Sequence, residues 1–258
     1  MPTVEEVSSS LAGLCVPVPA AGPGICAVCH AWVTPRRPLC PACACVLSQV
    51  SRPCRRVLPV TMCGGRSPLH RCLRAYKDDA EPEARSGGAI VVAALLARFL
   101  HDHTSCVAGD HGDWDFVTTV PSSESRPGRH PLERAVELVP WLASRHRPAL
   151  APGSAALGHR VAGDGGFRVV APVEGGRMVV VDDVLATGAR AQSAASALSM
   201  AGATVVAVVP LARIVAGPRA PSFEVRAWAA WCRGNRFRFD TCCAHATPQM
   251  GTSRKFGA

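Results

Sequence analysis

Residues 178–202 read Met-Val-Val-Val-Asp-Asp-Val-Leu-Ala-Thr-Gly-Ala-Arg-Ala-Gln-Ser-Ala-Ala-Ser-Ala-Leu-Ser-Met-Ala-Gly, and this stretch decides the fold. Its apolar run at 178–181 predicts a strand that is buried on both faces, as in a parallel sheet. A small-residue helix is predicted from Ala191 to Ala201, and Gly202 is a stop signal before a second strand at 204–209. The stretch therefore predicts an α/β fold with a mostly parallel, twisted sheet flanked by helices.

Two carboxylates, Asp182 and Asp183, come where the first strand is expected to end, which is where ligands bind in open α/β sheets. The loop that follows leads into the helix, so its backbone N–H groups can converge on one phosphate with help from the helix dipole. Thr187 adds a hydroxyl donor, and Gly188 permits a close backbone approach. The pattern predicts a ribose phosphate site, with the acids accepting from ribose hydroxyls. The alternative is that both acids only cap a turn in an ordinary Rossmann-like domain.

The segment Val-Val-Val-Asp-Asp-Val-Leu-Ala-Thr-Gly-Ala at 179–189 closely resembles the phosphoribosyl pyrophosphate (PRPP) signature of type I phosphoribosyltransferases. With the cysteine-rich start of the chain, it resembles the ComF family of competence-associated proteins. The resemblance implies a type I phosphoribosyltransferase-like fold, ribose-binding and catalytic roles for Asp182 and Asp183, and Mg²⁺ bound with PRPP. It assigns the 5′-phosphate to Ala186, Thr187, Gly188, Ala189 and Arg190. The family usually has hydroxyl residues at the positions of Ala186 and Arg190.

The resemblance also implies where pyrophosphate binds. The segment Leu-Arg-Ala-Tyr-Lys at 73–77 resembles the family segment whose lysine faces the active site, which implies a pyrophosphate contact from Lys77. A solvated lysine at a helix end is the alternative. The family places its pyrophosphate loop directly after the strand predicted here at 114–120, and hydroxyl and guanidinium groups suit that anion. The residues assigned to this loop are Ser122, Ser123, Arg126 and Arg129.

Cys26-Ala-Val-Cys29 and Cys40-Pro-Ala-Cys43 form a pair of Cys-x-x-Cys knuckles. Two residues between cysteines let both thiolates reach one ion, and two such turns complete a tetrahedral zinc site. The segment has little apolar content, so we expect a structural Zn²⁺ to supply much of its folding free energy. Cys45 is an alternative to Cys43 in a shifted knuckle, and incidental buried thiols are the alternative without a metal.

The remaining cysteines and histidines give weaker signals. A second metal site from Cys232, Cys242, Cys243 and His245 is disfavoured, because adjacent cysteines rarely share a tetrahedral ion well. His103 has no metal-like spacing and is expected to face solvent.

The composition of the chain limits which binding partners and which cellular compartment we expect. The chain has 258 residues and a formal net charge of +9, from 28 basic and 19 acidic residues. This charge suits polyanions, either a pyrophosphorylated sugar or nucleic acid. The first ten residues lack the basic region of a secretory signal, and the apolar run at 89–100 is too short to span a bilayer. We therefore expect a soluble, cytoplasmic protein with reduced cysteines and no membrane insertion.

We expect a zinc-binding module at residues 1–50, a phosphoribosyltransferase-like domain at 51–231 and a basic tail at 232–258. Further helices are predicted at 68–77, 89–101 and 132–142, and a final strand at 223–231. The family resemblance implies a catalytic flap at 157–167. Alternating basic and aromatic residues at 233–239 are compatible with single-stranded DNA or with an edge strand.

Two functions follow. The first is transfer of a phosphoribosyl group from PRPP to an unknown acceptor, with release of pyrophosphate. The second is a non-catalytic sensor of PRPP or a nucleotide, or a nucleic-acid-binding adapter. The ComF resemblance implies a link to natural transformation and partners among DNA-uptake proteins.

Overall fold

The computed structural model describes residues 3–65, 67–78, 80–122, 130–215, 217 and 220–244. Its strands are Thr61–Gly64 (β1), Phe116–Thr119 (β2), Leu150–Pro152 (β3), Phe167–Val169 (β4), Arg177–Leu185 (β5) and Thr204–Val215 (β6). Four of them form a parallel sheet in the order β1-β6-β5-β2, while β3 and β4 pair antiparallel with each other. The sheet order confirms the parallel arrangement that the sequence predicts.

The helices are Val4–Leu11 (α1), Pro41–Leu47 (α2), Pro68–Asp78 (α3), Pro82–Asp102 (α4), Thr104–Ala108 (α5), Pro131–Glu137 (α6), Pro140–Arg145 (α7), Ala189–Met200 (α8) and Ser222–Gly234 (α9). By length and composition, α4 could cross a membrane, and 50% of its apolar window is buried inside the protein. Leu95, Leu96 and Leu100 of this helix lie in the core under the sheet. The α/β class, with helices flanking a parallel sheet, is confirmed.

Strand β5 continues beyond the end that the sequence predicts at Val181. Asp182 lies opposite Pro210 and Leu185 lies opposite Arg213, so both acids belong to the ladder. Aspartate disfavours strands, but here β6 runs on to Val215 and its pairing overrides local propensity. Because side chains alternate along a strand, Asp182 and Asp183 leave the sheet on opposite faces.

Both faces of the sheet are covered by hydrophobic clusters. One cluster contains Val179 and Val181 of β5 together with the buried side of α4. The other contains Met178 and Val180, the alanine-rich face of α8, and the four cysteines of the knuckles. The cysteine-rich segment therefore shares the core of the sheet and is packed against the strand that carries the acids.

Two predicted elements are wrong in detail. The helix predicted at 132–142 is two short helices, because Pro140 has no N–H to donate and begins α7 instead. The strand predicted at 223–231 is the helix α9, which crosses the expected domain boundary after residue 231. Trp228 and Trp231 lie three positions apart on one face of α9, with ring centroids 6.1 and 6.2 Å from that of Trp32. Half-burial of Trp228 and Trp231 against Trp32 outweighs the apparent alternation of polar and apolar residues.

Candidate functional site

Asp183 is a buried acid at the centre of a small polar cluster. Its Oδ2 accepts a hydrogen bond from the hydroxyl of Tyr76 and forms an ion pair with Nζ of Lys77. Burial, followed by the charge of Asp183, raises the pKa of Tyr76, so the phenol stays protonated and donates. The structure thus places Lys77 beside the acid pair, and one oxygen of Asp183 is held by the protein itself.

Asp182 is the more accessible acid. Its Oδ1 accepts from the backbone N–H of Asp183 at 2.9 Å. Within the described part of the chain, its Oδ2 makes no hydrogen bond or ion pair. Burial and the charge of Asp183 raise the pKa of Asp182 to about 7, although Lys77 and Arg190 act in the opposite direction. Asp182 therefore has a carboxylate oxygen that can accept from a ligand hydroxyl, and it titrates near neutral pH.

The loop at 186–190 ends in the first turn of α8. Gly188 precedes this helix with φ +84°, in the left-handed region that favours glycine. Among the residues that the structure describes, the backbone N–H groups of residues 187–191 donate to no acceptor. Open donors at the start of a helix form a site for an anion, because the helix dipole adds positive potential there. The structure therefore leaves this loop able to hold a phosphate.

Arg190 connects the loop to the end of β2. Its Nη2 donates to the carbonyl of Pro121, and its guanidinium carbon lies 5.3 Å from the ring centroid of Phe167. Burial lowers the pKa of Arg190, while the charges of the two acids raise it. Ser122 follows Pro121 directly, so the phosphate loop and the start of the expected pyrophosphate loop are neighbours. Ser123, Arg126 and Arg129 lie outside the described residues.

Arg213 is a buried arginine of β6 that braces the start of the loop. Its Nη1 donates to the carbonyls of Leu185 at 3.0 Å and Ala186 at 2.7 Å. Burial disfavours its charge, but the sulfurs of Cys29, Cys40 and Cys43 outweigh this effect and raise the pKa of Arg213. One cation therefore contacts the loop backbone and balances negative charge on the cysteine cluster.

The four knuckle cysteines converge. Sγ atoms of Cys26, Cys29, Cys40 and Cys43 all lie within 4.8 Å of one another, and all four residues are buried. The separation of 3.6 Å between the Cys29 and Cys40 sulfurs is close to the edge of about 3.8 Å expected for tetrahedral Zn–S bonds of 2.3 Å. The backbone N–H of Cys40 donates to the sulfur of Cys26, as in the supporting shell of a thiolate site. This cluster can bind a structural zinc ion.

The structure decides between the two knuckle registers. Cys43 belongs to the cluster, whereas the Cys45 sulfur lies outside it, 3.7 Å from the carbonyl oxygen of Arg160. Cys29 and Cys43 also line a small cavity together with Thr187 and Gly188. The cysteine cluster therefore lies against the loop at 186–190.

His103 corrects the sequence prediction. It is buried and not solvent-facing, and it forms a second group of potential metal ligands with Cys106 and Cys242. The sequence pattern groups Cys242 with other residues instead, of which Cys232 is exposed and His245 lies outside the described residues. Cys242 meets His103 and Cys106 only through tertiary folding.

The segment at 157–167, which the sequence predicts to be a flap, is fastened to its neighbours. Asp164 accepts hydrogen bonds from the hydroxyls of Ser51 and Ser196, both at 2.6 Å. The backbone N–H of Gly163 donates to the Ser193 hydroxyl at 3.0 Å. The segment therefore joins the linker after α2 to the outer side of α8, and His159 is exposed to solvent.

Comparison with known proteins identifies a distant relative of this chain. The chain is 28% identical over 228 residues to the DNA utilization protein YhgH of Salmonella typhimurium (strain LT2). The aligned region covers 78% of this chain and 97% of the relative. The chain is a distant relative of that protein. No protein-family model matches the chain.

Sequence reasoning missed two residues of the site. Tyr76 is a buried residue of α3, and its hydroxyl contact with Asp183 has no local signal. Arg213 lies inside an apolar strand, where a lone arginine is unusual because burying a charge without a partner is costly. That departure from the apolar pattern is the one sequence feature that could have drawn attention to it.

Proposed function

We propose that this chain binds Mg²⁺ and PRPP at the carboxyl end of β5 and transfers the phosphoribosyl group to an acceptor, with release of pyrophosphate. The observation that carries the proposal is the set of open N–H groups at 187–191 next to the available Oδ2 of Asp182. One group suits a 5′-phosphate and the other suits ribose hydroxyls, so together they match the two ends of a ribose phosphate.

The leaving group would lie on the other side of the acids. Lys77 supplies a positive charge there, and Ser122 lies beyond the carbonyl that Arg190 contacts. Mg²⁺ would neutralise pyrophosphate oxygens, because it prefers phosphate oxygens and keeps several waters. The chain's own part in the chemistry is to orient the ribose and to stabilise charge on the departing pyrophosphate.

The biological setting comes from the relative. A protein that is similar over most of both chains is named a DNA utilization protein, and this supports a role for the present chain in DNA uptake or use. The PRPP site and the DNA link are compatible, since phosphoribosyl chemistry handles nucleotide components. We propose a cytoplasmic location, with residues 1–50 as a zinc-dependent support for the transferase-like domain at 51–231.

Calorimetric titration with Mg²⁺ and PRPP tests binding. We expect the wild-type protein to bind, and Asp182→Asn and Thr187→Val each to lower the affinity about tenfold, the loss of one hydrogen bond to a charged or polar ligand group. Asp115→Asn is the matched control, because Asp115 precedes β2 and its carboxylate bonds Arg177 at the amino end of β5. No binding by the wild type, or an equal loss in the control, would overturn the proposal.

Release of pyrophosphate tests transfer separately from binding. We expect release when Mg²⁺ and PRPP are combined with the correct acceptor from a panel of bases and amines, and no release from Asp182→Asn. Tight binding without release for the whole panel would favour a sensor over an enzyme.

A second candidate function is binding of DNA through charge. The net charge of +9 and the name of the relative both favour it. The alternation at 233–239 does not supply stacking platforms, because Phe237 and Phe239 pack on the core, whereas Arg233, Arg236 and Arg238 are exposed. We expect any affinity for a labelled single strand to fall steeply with salt, and to fall further in Arg233→Gln/Arg236→Gln.

A further inference from the structure

We propose that His103, Cys106 and Cys242 bind a second metal ion, which by donor type is Zn²⁺, and that this ion fastens the C-terminal segment 235–244 to the junction of α4 and α5. The site is separate from the knuckle cluster and does not depend on the proposed reaction. The ion would add to the packing of Phe237 and Phe239 on the core in holding this segment in place.

The ligand atoms have the spacing of a metal site. His103 follows the last turn of α4 and Cys106 lies three residues later in α5, so both side chains point to one side. Nδ1 of His103 lies 3.7 Å from Sγ of Cys106, and tetrahedral zinc with ordinary Zn–N and Zn–S bonds requires about 3.6 Å. Sγ of Cys242 lies within 4.8 Å of both atoms.

The orientation of the imidazole suits a ligand. Nε2 of His103 lies 2.7 Å from the carbonyl oxygen of Phe239, and a carbonyl only accepts, so Nε2 carries the proton. Nδ1 then has its lone pair available to a metal ion, and it faces the sulfur of Cys106. A histidine that donates its far N–H to a carbonyl while the near nitrogen binds metal is the usual supporting arrangement in zinc sites.

The burial of these three residues distinguishes the cluster from surface side chains that lie close together by chance. His103, Cys106 and Cys242 are each 6% exposed. Other buried cysteines, such as Cys15 and Cys54, belong to no such ligand group within the described residues. Cys243 is also buried but does not belong to the group, and adjacent cysteines rarely share one ion, so a water molecule is the candidate for the fourth position.

Zinc content of the full-length protein, purified under reducing conditions and measured by mass spectrometry of the metal, is the primary test. We expect two zinc ions per chain in the wild type and one in Cys106→Ser/Cys242→Ser. Cys26→Ser/Cys29→Ser should lose the other ion and keep this one. Cys232→Ser is the matched control, because Cys232 is an exposed cysteine at the end of α9, and it should retain two ions.

Two further measurements keep the test decisive if a variant folds poorly. Cys106→His replaces one zinc ligand by another and should restore the second ion, whereas serine should not. Hydrogen exchange of residues 235–244 should rise in Cys106→Ser/Cys242→Ser and stay unchanged in Cys232→Ser. Cys243→Ser should retain the second ion, because Cys243 does not belong to the ligand group.

One zinc ion per chain in the wild type would overturn the proposal. So would a disulfide between Cys106 and Cys242 in the protein as purified, detected by mass analysis of non-reduced peptides, because a disulfide leaves no thiolates for the ion.

Discussion

Nη1 of Arg213 lies 2.7 Å from the carbonyl oxygen of Ala186, the first residue of the predicted phosphate loop. The same guanidinium lies beside the sulfurs of the knuckle cysteines, whose charge favours its protonated form. Two features that are far apart in sequence, the cysteine knuckles and the glycine loop, are therefore joined by one buried cation. Loss of that cation should affect both.

Arg213→Met should lower the free energy of unfolding by about 1–3 kcal/mol, because methionine removes the cation and leaves the buried carbonyls without their donor. The variant should also bind Mg²⁺ and PRPP more weakly than the wild type, since the carbonyls of Leu185 and Ala186 lose their donor. Urea unfolding and calorimetry measure the two effects. Arg177→Met, at a partly exposed pair with Asp115, should cost less than about 1 kcal/mol. Equal losses in both variants would contradict the bracing role.

Gly88 and Gly87 form a matched pair on α4. A Cβ at Gly88 would lie 2.6 Å from Cβ of Tyr76, whereas a Cβ at Gly87 meets nothing within 4 Å. Gly88→Ala should therefore displace α3 and cost about 1–3 kcal/mol, while Gly87→Ala should be neutral or stabilise by up to about 1 kcal/mol.

Thermal unfolding of both variants checks this prediction. Because α3 also carries the groups that hold Asp183, Gly88→Ala should in addition weaken PRPP binding, and Gly87→Ala should not. A neutral Gly88→Ala would show that the two helices are not in close contact.

The raised pKa of Asp182 predicts that the free energy of unfolding depends on pH. Burial and the charge of Asp183 raise its pKa from 3.8 to about 7, so the folded state keeps a proton that the unfolded state loses near pH 4. The stability associated with this group is complete below about pH 4 and is lost as the pH rises through 7. Asp182→Asn should accordingly be more stable than the wild type at pH 8, by urea unfolding, and similar to it near pH 4.

The same titration should affect binding in the opposite sense. If the ionised carboxylate accepts from ribose hydroxyls, affinity for Mg²⁺ and PRPP should fall as the pH drops below 7, by up to about tenfold per unit. The phosphates of the ligand titrate near pH 6 as well, so Asp182→Asn measured in the same buffers isolates the contribution of the protein. An identical pH profile for wild type and variant would exclude Asp182 as the titrating group.

Asp164, which lies outside the pair formed by Asp182 and Asp183, gives a further prediction about stability. Hydrogen bonds from Ser196 and Ser51 lower its pKa, so its contribution is present above about pH 4 and is lost as the pH falls below its ordinary range. Asp164→Ala should cost about 1–2 kcal/mol at pH 7, because the two hydroxyls lose their acceptor. Asp110→Ala is the control, since Asp110 is exposed and should change stability by less than about 0.5 kcal/mol.

Several elements could be predicted because their signals are local. The apolar run before the acids, the small-residue helix and Gly202 identified the core β-strand, helix, β-strand unit, which the structure places at β5, α8 and β6. The knuckle spacing likewise identified four cysteines that converge. In each case the residues that make the feature lie in one continuous stretch of the chain, so period and spacing carry the information.

Other elements could not be predicted because distant partners decide them. The strand with the acids extends to Leu185 only because β6 is long enough to pair with it. Helix α9 forms because Trp228 and Trp231 contact Trp32, which is near the opposite end of the chain. A local pattern that fits both a strand and a helix is settled by which face can be buried.

The sequence by itself determined which chemical groups this protein has and which of them are neighbours along the backbone: the acid pair, the glycine turn before a helix and the cysteine knuckles. Only the tertiary structure decided that Tyr76 and Lys77 hold Asp183, that Arg213 joins the cysteines to the loop, and that His103 meets Cys242. The physical reason is that buried polar groups must find partners, and a folded chain supplies those partners from any distance in sequence.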